Sequence, residues 1–244
     1  GPPDPREGSL VAFDSPFLFE SDSPTTLGRL LAAMGRQTPV YYDEHKRLWM
    51  VLRHRDVYAA LRDPETFSAS YYAPGPVGDT FIATDGALHQ RYRRMFSRAM
   101  APMVLRRFDS EVIQPAAAQI IDRICERGSA NLIEDFCYPL PIAVITYGIG
   151  VPPGFIEECV EWTTAMVAWN VWIDDPEHIA RGQEAKRQVL RRITPFVEEQ
   201  VRNPGSNIIG EFVRAMKEAD DLQPELVLKV ACGAIMGGFE NLFA

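Results

Sequence analysis

Apolar positions recur every three or four residues along most of this chain, a spacing that predicts a mainly helical protein. The exception is a pair of short alternating runs, Val40–Tyr42 and Leu48–Leu52, around the polar turn Asp43–Arg47; these predict a small β-sheet near the N-terminus. Residues up to about Pro24 carry Pro, Asp and Ser and read as an extended lead-in. Thr25–Met34 sets Leu27, Leu30, Leu31 and Met34 on one helical side, and Arg55–Arg62 is helical until Asp63-Pro64 stops it. Ser70–Asp79 holds Pro74, Gly75, Pro76 and Gly78 and predicts an irregular loop, of a length that is either functional or mobile. Helices follow at about Gly86–Ala99, at Val104–Arg127 up to the stop at Gly128, and at Leu140–Gly150, the last nearly all apolar and so buried. Phe155–Ile173, with Trp162, Met166, Trp169 and Trp172, and the charged Pro176–Arg202 form two long helices, the second ended by Asn203-Pro204-Gly205. Gln223–Ala244 forms the last. No repeat or linker divides the chain, so residues 1–244 are expected to be a single domain, with Gly1-Pro2 read as a protease-cleavage remnant.

Composition narrows the function classes. The 244 residues suffice for a sizeable core, and 46% apolar with 24% charged residues is an ordinary globular balance. A net charge of −8 argues against wholesale binding to nucleic acid or to an anionic membrane surface. The basic residues nevertheless cluster, with Arg91, Arg93, Arg94, Arg98, Arg106 and Arg107 in one short region; an acidic partner or ligand and plain solvation both suit such a patch. Cys125, Cys137, Cys159 and Cys232 show no C-x-x-C spacing and read as reduced packing residues of a cytoplasmic protein, and no apolar run is long enough for a membrane span.

The most informative stretch is Thr84–Pro102, TDGALHQRYRRMFSRAMAP. Asp85 can cap a helix starting near Gly86 by accepting its unpaired first-turn amides. Leu88, Tyr92, Met95 and Ala99 then form an apolar stripe, while Arg91, Arg94 and Arg98 form a cationic one, most simply solvated. His89 and Arg93 stand one turn apart and point the same way, an arrangement that suits a pair of carboxylates or phosphates. A surface helix rich in arginine has the same spacing. The pattern D-x-x-x-H-x-x-x-R-R-x-x-S, running into a Pro-containing end, resembles the C helix of soluble bacterial cytochromes P450. That resemblance implies that His89 and Arg93 bind the propionates of haem b (heme b, iron protoporphyrin IX). Leu61–Ser68, LRDPETFS, resembles the segment after the B helix of the same family. The B–C loop that follows covers the substrate pocket in that family, which makes Tyr71, Tyr72, Phe81 and Ile82 candidate substrate residues, although packing is an equal use for any aromatic there. The two long tryptophan-bearing and charged helices look like the F and G lid helices, with Trp169 a candidate pocket residue and helix packing its plainer use.

Gln223–Ala244, QPELVLKVACGAIMGGFENLFA, is apolar on every face from Val230 to Phe239 and should be central. Gly237-Gly238 costs about 1 kcal/mol per glycine against alanine in a helix, so the pair needs a reason: close helix packing, close approach of a flat ligand, or local opening of the helix. The stretch resembles the P450 I helix, with Gly237, Gly238, Phe239 and Glu240 in order and Asn241 where the family usually carries the threonine that assists proton delivery. An amide cannot relay a proton as a hydroxyl does, so Glu240 and Asn241 become the candidate catalytic pair and Phe239 a candidate substrate contact. None of the cysteines has the F-x-x-G-x-x-x-C context, so no metal ligand is expected in this chain and the axial cysteine is expected beyond Ala244. Literal E-x-x-R matches at Glu184–Arg187, Glu199–Arg202 and Glu211–Arg214 precede the I helix, and nothing carries over to them.

The resemblance therefore implies the N-terminal portion of a soluble P450, an incomplete P450 fold that is mainly α with a small sheet. Complete, it implies a haem-thiolate monooxygenase acting with O2 on a small, largely apolar organic molecule, with electrons from a separate ferredoxin-type partner. Arg91, Arg94, Arg98 and Arg106 would form the docking face for that partner. The rivals are a non-catalytic helical ligand-binding domain lacking the haem-thiolate loop and a DNA-binding regulator, the latter disfavoured by net charge and by the lack of a helix-turn-helix pattern.

Overall fold

The computed structural model describes residues 24–43, 48–171 and 174–240. They fall into two compact units divided after Ser68. In the first, helix α1 (Pro24–Gln37) precedes an antiparallel hairpin, β1 (Val40–Asp43) and β2 (Leu48–Val51). Its register pairs Val40 with Val51 and Tyr42 with Trp49, whose rings sit 5.0 Å apart as a cross-strand aromatic pair. Gly35 lets α1 settle on the sheet, because a Cβ there would lie 3.3 Å from the Leu52 carbonyl oxygen. Helix α2 (His54–Ala60) follows, with Arg53 gripping Asp56 at 2.6 Å across its first turn.

The second unit is helical apart from residues 69–85. It runs α3 (Gly86–Ala99), α4 (Pro102–Phe108), α5 (Gln114–Arg127), α6 (Pro139–Ile149), α7 (Phe155–Val171), α8 (Pro176–Arg202), α9 (Ile208–Glu218) and α10 (Pro224–Glu240). The single helix expected over Val104–Arg127 is divided by a wide π-turn at Asp109–Ile113. Pro115 accounts for this: it has no N–H to give the carbonyl four residues back, and its ring would strike that carbonyl, so the chain widens by one residue. The same device recurs at Ile133–Cys137 ahead of Pro139. Helix α9 is not anticipated by the sequence reading, which took Asn203-Pro204-Gly205 as a stop and assigned nothing before Gln223. Its signal is present: Asn207 accepts from the Gly210 amide at 2.8 Å as an N-cap, and Ile209, Phe212, Val213 and Met216 repeat at helical spacing and are all buried.

The core joins α3, α6, α7, α8, α9 and α10, with Val77 and Phe81 added from the segment before α3. Helices α7 and α8 cross closely at Gly182, where a Cβ would fall 2.5 Å from that of Trp169. Of the four cysteines, Cys159 and Cys232 are buried packing residues as expected, whereas Cys125 is exposed. Burial pushes the Cys159 thiol up to about 11 and the Cys232 thiol to about 12, so neither is a ready thiolate. The E-x-x-R matches are i,i+3 ion pairs on helix surfaces, at 2.6 Å for Glu184–Arg187 and 3.0 Å for Glu199–Arg202. No helix among the described residues is long and apolar enough to cross a membrane.

Candidate functional site

Helix α3 buries Tyr92, Met95 and Ala99 as its pattern requires, but Leu88 departs from that stripe and is 49% exposed. Asp85 stands at the N-cap position without capping; its carboxylate instead accepts from the Ala69 amide, at 3.1 Å to each oxygen, and so closes residues 69–85 into a loop. The cationic stripe is not simply solvated. Arg91 pairs with Asp221 at 2.8 Å and Arg98 with Glu218 at 2.9 Å, fastening α3 to the end of α9. Tyr92 reinforces this side by accepting a hydrogen bond from Gln223.

His89 and Arg93 are left on a different face. The His89 Nδ1–H donates to the Phe81 carbonyl at 3.0 Å, and the imidazole packs edge-on against the Phe81 ring at 6.1 Å. Phe81 in turn meets Phe96 at 5.9 Å, and Phe96 meets Phe212 at 5.6 Å, so a line of aromatic contacts from α9 fixes the histidine's orientation. With Nδ1 engaged, Nε2 is the nitrogen that can face a ligand. Arg93 is exposed and has no carboxylate within ion-pair distance among the described residues, unlike Arg91 and Arg98. A neighbouring imidazole and an uncommitted guanidinium fit a ligand that carries carboxylates.

Helix α10 keeps its helical form through Gly237-Gly238, and the two glycines have different surroundings. A Cβ on Gly238 would come within 2.9 Å of the Ile145 side chain, so this glycine serves the α10–α6 contact. A Cβ on Gly237 would meet nothing within 4 Å among the described residues, which fits the close approach of a flat group. The side chains of Phe239 and Glu240 and all of Asn241 lie outside the described residues, as does Trp172. Helix α3 packs chiefly on α9, whereas α10 packs on α8, α6 and α7, so the two candidate cofactor-binding groups are carried by separately braced helices.

The candidate substrate residues divide. Tyr72 and Ile82 are exposed, and Tyr72 meets Tyr71 edge-on at 5.9 Å. Phe81 and Trp169 are each 5% exposed and committed to packing, Phe81 under His89 and Trp169 over Gly182. The loop expected over Ser70–Asp79 is a succession of tight turns with short 3-10 helices at Ala69–Tyr72 and Phe81–Ala83. Sequence reasoning passed over Asp79, Lys186 and Lys229; the fold brings Asp79 to two lysines each more than 100 residues away in the chain, a relation no local pattern could carry.

No family model matches the chain. It is 29% identical over 225 residues to a C-19 steroid 1α-hydroxylase of Sorangium cellulosum, a match covering 92% of this chain and 57% of that protein. With the erythromycin C-12 hydroxylase of Saccharopolyspora erythraea it shares 25% over 222 residues, 88% of this chain and 54% of the other. Among solved structures, cytochrome P450 260B1 of Sorangium cellulosum superposes with a TM-score of 0.79 at 31% identity, over 89% of this chain and 55% of that one. Over most of its length the chain is similar to bacterial cytochromes P450, as a partial P450 would be. It spans about half the length of the curated relatives it matches. A second P450, from Bacillus megaterium in complex with testosterone, repeats the fold at a TM-score of 0.74 and 21% identity. The mainly helical architecture with a small sheet is the one the hydrophobic pattern predicts, and the incomplete P450 fold is the one the motif resemblance implied.

Proposed function

We propose that this chain is the haem-holding and substrate-covering part of a P450 monooxygenase. The observation that carries the reading is the contrast on α3: Arg91 and Arg98 are spent on carboxylates of the protein itself, while His89 is aimed by Phe81 and Arg93 stays uncommitted one turn away. His89 and Arg93 would hold the propionates of haem b, and the open side of Gly237 would admit the edge of the macrocycle. When bound, a thiolate-ligated haem supplies O2 activation and O–O cleavage; the thiolate would come from outside these residues. The part played by this chain is to bind and orient the group and to frame an apolar organic substrate with Tyr72 and Ile82. Glu240 would deliver protons, directly or through ordered water held by the Asn241 amide. A largely apolar substrate suits the activities of similar proteins, which include a C-19 steroid 1α-hydroxylase and a linalool 8-monooxygenase.

Electrons would come from a separate acidic ferredoxin-type protein. Of the four arginines expected to form the docking face, Arg94 and Arg106 are exposed with no ion-pair partner among the described residues, so they, rather than Arg91 and Arg98, would meet it. The cofactor assignment is tested in the full-length protein by replacing His89 and Arg93 together with Ala. The expected outcome is a haem-to-protein ratio reduced severalfold at unchanged helical circular dichroism. Full haem occupancy in the double variant would remove the assignment.

A further inference from the structure

Residues 69–83 are the part of the second unit that is not built on long helices, yet they are stiff. Their turns close on themselves through Gly75 N to Tyr72 O at 2.9 Å, Gly78 N to Gly75 O at 3.1 Å and Thr80 N to Val77 O at 3.0 Å. Gly78 passes so close to Ala73 that a Cβ would fall 1.9 Å from its carbonyl oxygen. The buried Thr80 hydroxyl donates to the Val77 carbonyl at 2.7 Å. Phe81 packs this stiff body on His89 and Phe96 of α3, and toward α8 and α10 two contacts stand out. Val77 is one anchor, buried, with Cγ1 3.6 Å from where a Cβ on Gly233 of α10 would lie. Asp79 is the other. Its Oδ1 meets Lys186 Nζ of α8 at 2.7 Å, and its Oδ2 lies 3.8 Å from Lys229 Nζ of α10.

The two lysines depend on Asp79 unequally. Lys229 has a second carboxylate, Glu225, at 2.6 Å. Lys186 has Asp79 alone among the described residues, and its side chain is only 14% exposed. Removing the carboxylate would therefore strand a nearly buried ammonium, which must be rehydrated or moved. Moving the side of the segment that faces α8 and α10, where Val77 is the other anchor, costs less than parting α8 from α10 across their long packed contact.

We propose that Asp79 is an electrostatic latch, holding the rigid 69–83 segment shut against α8 and α10, so that its release lets the segment swing away as a unit. The segment carries Tyr72, Phe81 and Ile82, and Phe81 orients His89, so the latch governs access to the substrate side and steadies the histidine. The latch itself stands on the ion pairs; what it uncovers rests on the functional reading above.

Hydrogen exchange followed by mass spectrometry on the full-length protein tests it without needing haem chemistry as the readout. Asp79→Asn should speed exchange of the amides of residues 75–84 about tenfold or more while α9 keeps its protection. Lys186→Met should act more weakly and Lys229→Met least, following the distances and the second partner of Lys229. In Asp79→Asn/Lys186→Met the stranded cation is gone, so exchange should fall back toward the wild-type rate. Unchanged exchange in Asp79→Asn overturns the latch, and so does a double variant in which the two effects simply add. Should Asp79→Asn lose protection throughout, Lys186→Met decides: segment exchange equal to wild type overturns the proposal. A segment that loosens as expected while substrate affinity stays constant leaves the latch standing and removes instead the reading that the segment covers the substrate.

Discussion

Gly237 and Gly238 are adjacent and chemically identical, but only one of them is explained by packing. Gly238 has Ile145 against it, so a methyl group there forces that side chain to shift, an overpacking cost of about 1 kcal/mol. A Cβ on Gly237 meets nothing within 4 Å among the described residues, so alanine there recovers helix propensity, up to about 1 kcal/mol. The expected outcome is that Gly238→Ala lowers the unfolding midpoint of the haem-free protein while Gly237→Ala leaves it equal or higher. With haem the order should reverse: Gly237→Ala places a methyl group where the flat ligand approaches and should cost haem affinity severalfold. Equal behaviour of the two variants in both states would show that the glycines share one role. Sequence alone posed both explanations and could not distribute them, because the distinction lies in what α6 presents to each position.

At the scale of elements, the joint between α4 and α9 is set by Glu211. Arg107 reaches its carboxylate at 2.9 Å and the Ser206 carbonyl at 2.8 Å, while Arg214 meets the same carboxylate at 3.0 Å and donates to the Pro204 carbonyl at 2.6 Å. Partial burial pushes the Glu211 carboxyl up, but the hydrogen bonds from Arg107 and Arg214 outweigh it and hold it below the ordinary value. A carboxyl with a depressed folded value contributes stability above its unfolded pKa, about 4.3, and loses it as pH falls through the folded one. Glu211→Gln should therefore cost about 1–2 kcal/mol at pH 7, and the difference from wild type should shrink below about pH 4. Urea unfolding at the two pH values checks this; a gap independent of pH would mean that geometry, not charge, makes the joint. The long amphipathic helices and the hairpin were legible because each carries its own period. Helix α9 was not, since the breakers at 203–205 mask a start signal placed two residues later. The π-turn before Pro115 was also missed, because proline inside a helix fixes the problem without saying how the chain resolves it.

At the scale of the whole molecule, the same arithmetic of pairing separates structural arginines from recognition arginines. The sequence grouped Arg91, Arg94, Arg98 and Arg106 as one docking face because all four are basic and close in the chain. The fold withdraws Arg91 and Arg98, whose charges are met by Asp221 and Glu218, and leaves Arg94 and Arg106 on either side of the turn between α3 and α4. Met100 in that turn and Met103 in the first turn of α4 are also exposed, the latter 75%, and add apolar side chains of the kind protein interfaces use. Reversing the charge of Arg94 and Arg106 should slow association with an acidic redox protein roughly tenfold at low ionic strength, with the effect fading as salt rises, and should leave the unfolding midpoint within about 0.5 kcal/mol of wild type. Reversing Arg91 and Arg98 should do the opposite, since each reversed charge then faces a carboxylate at the α3–α9 contact: stability falls, and association changes only as far as the fold does. Stopped-flow reduction kinetics across a salt series, paired with urea melts of the same four variants, separates the two classes. Slower association with full stability in the Arg91 and Arg98 variants would place the docking face on the paired arginines and end the division drawn here.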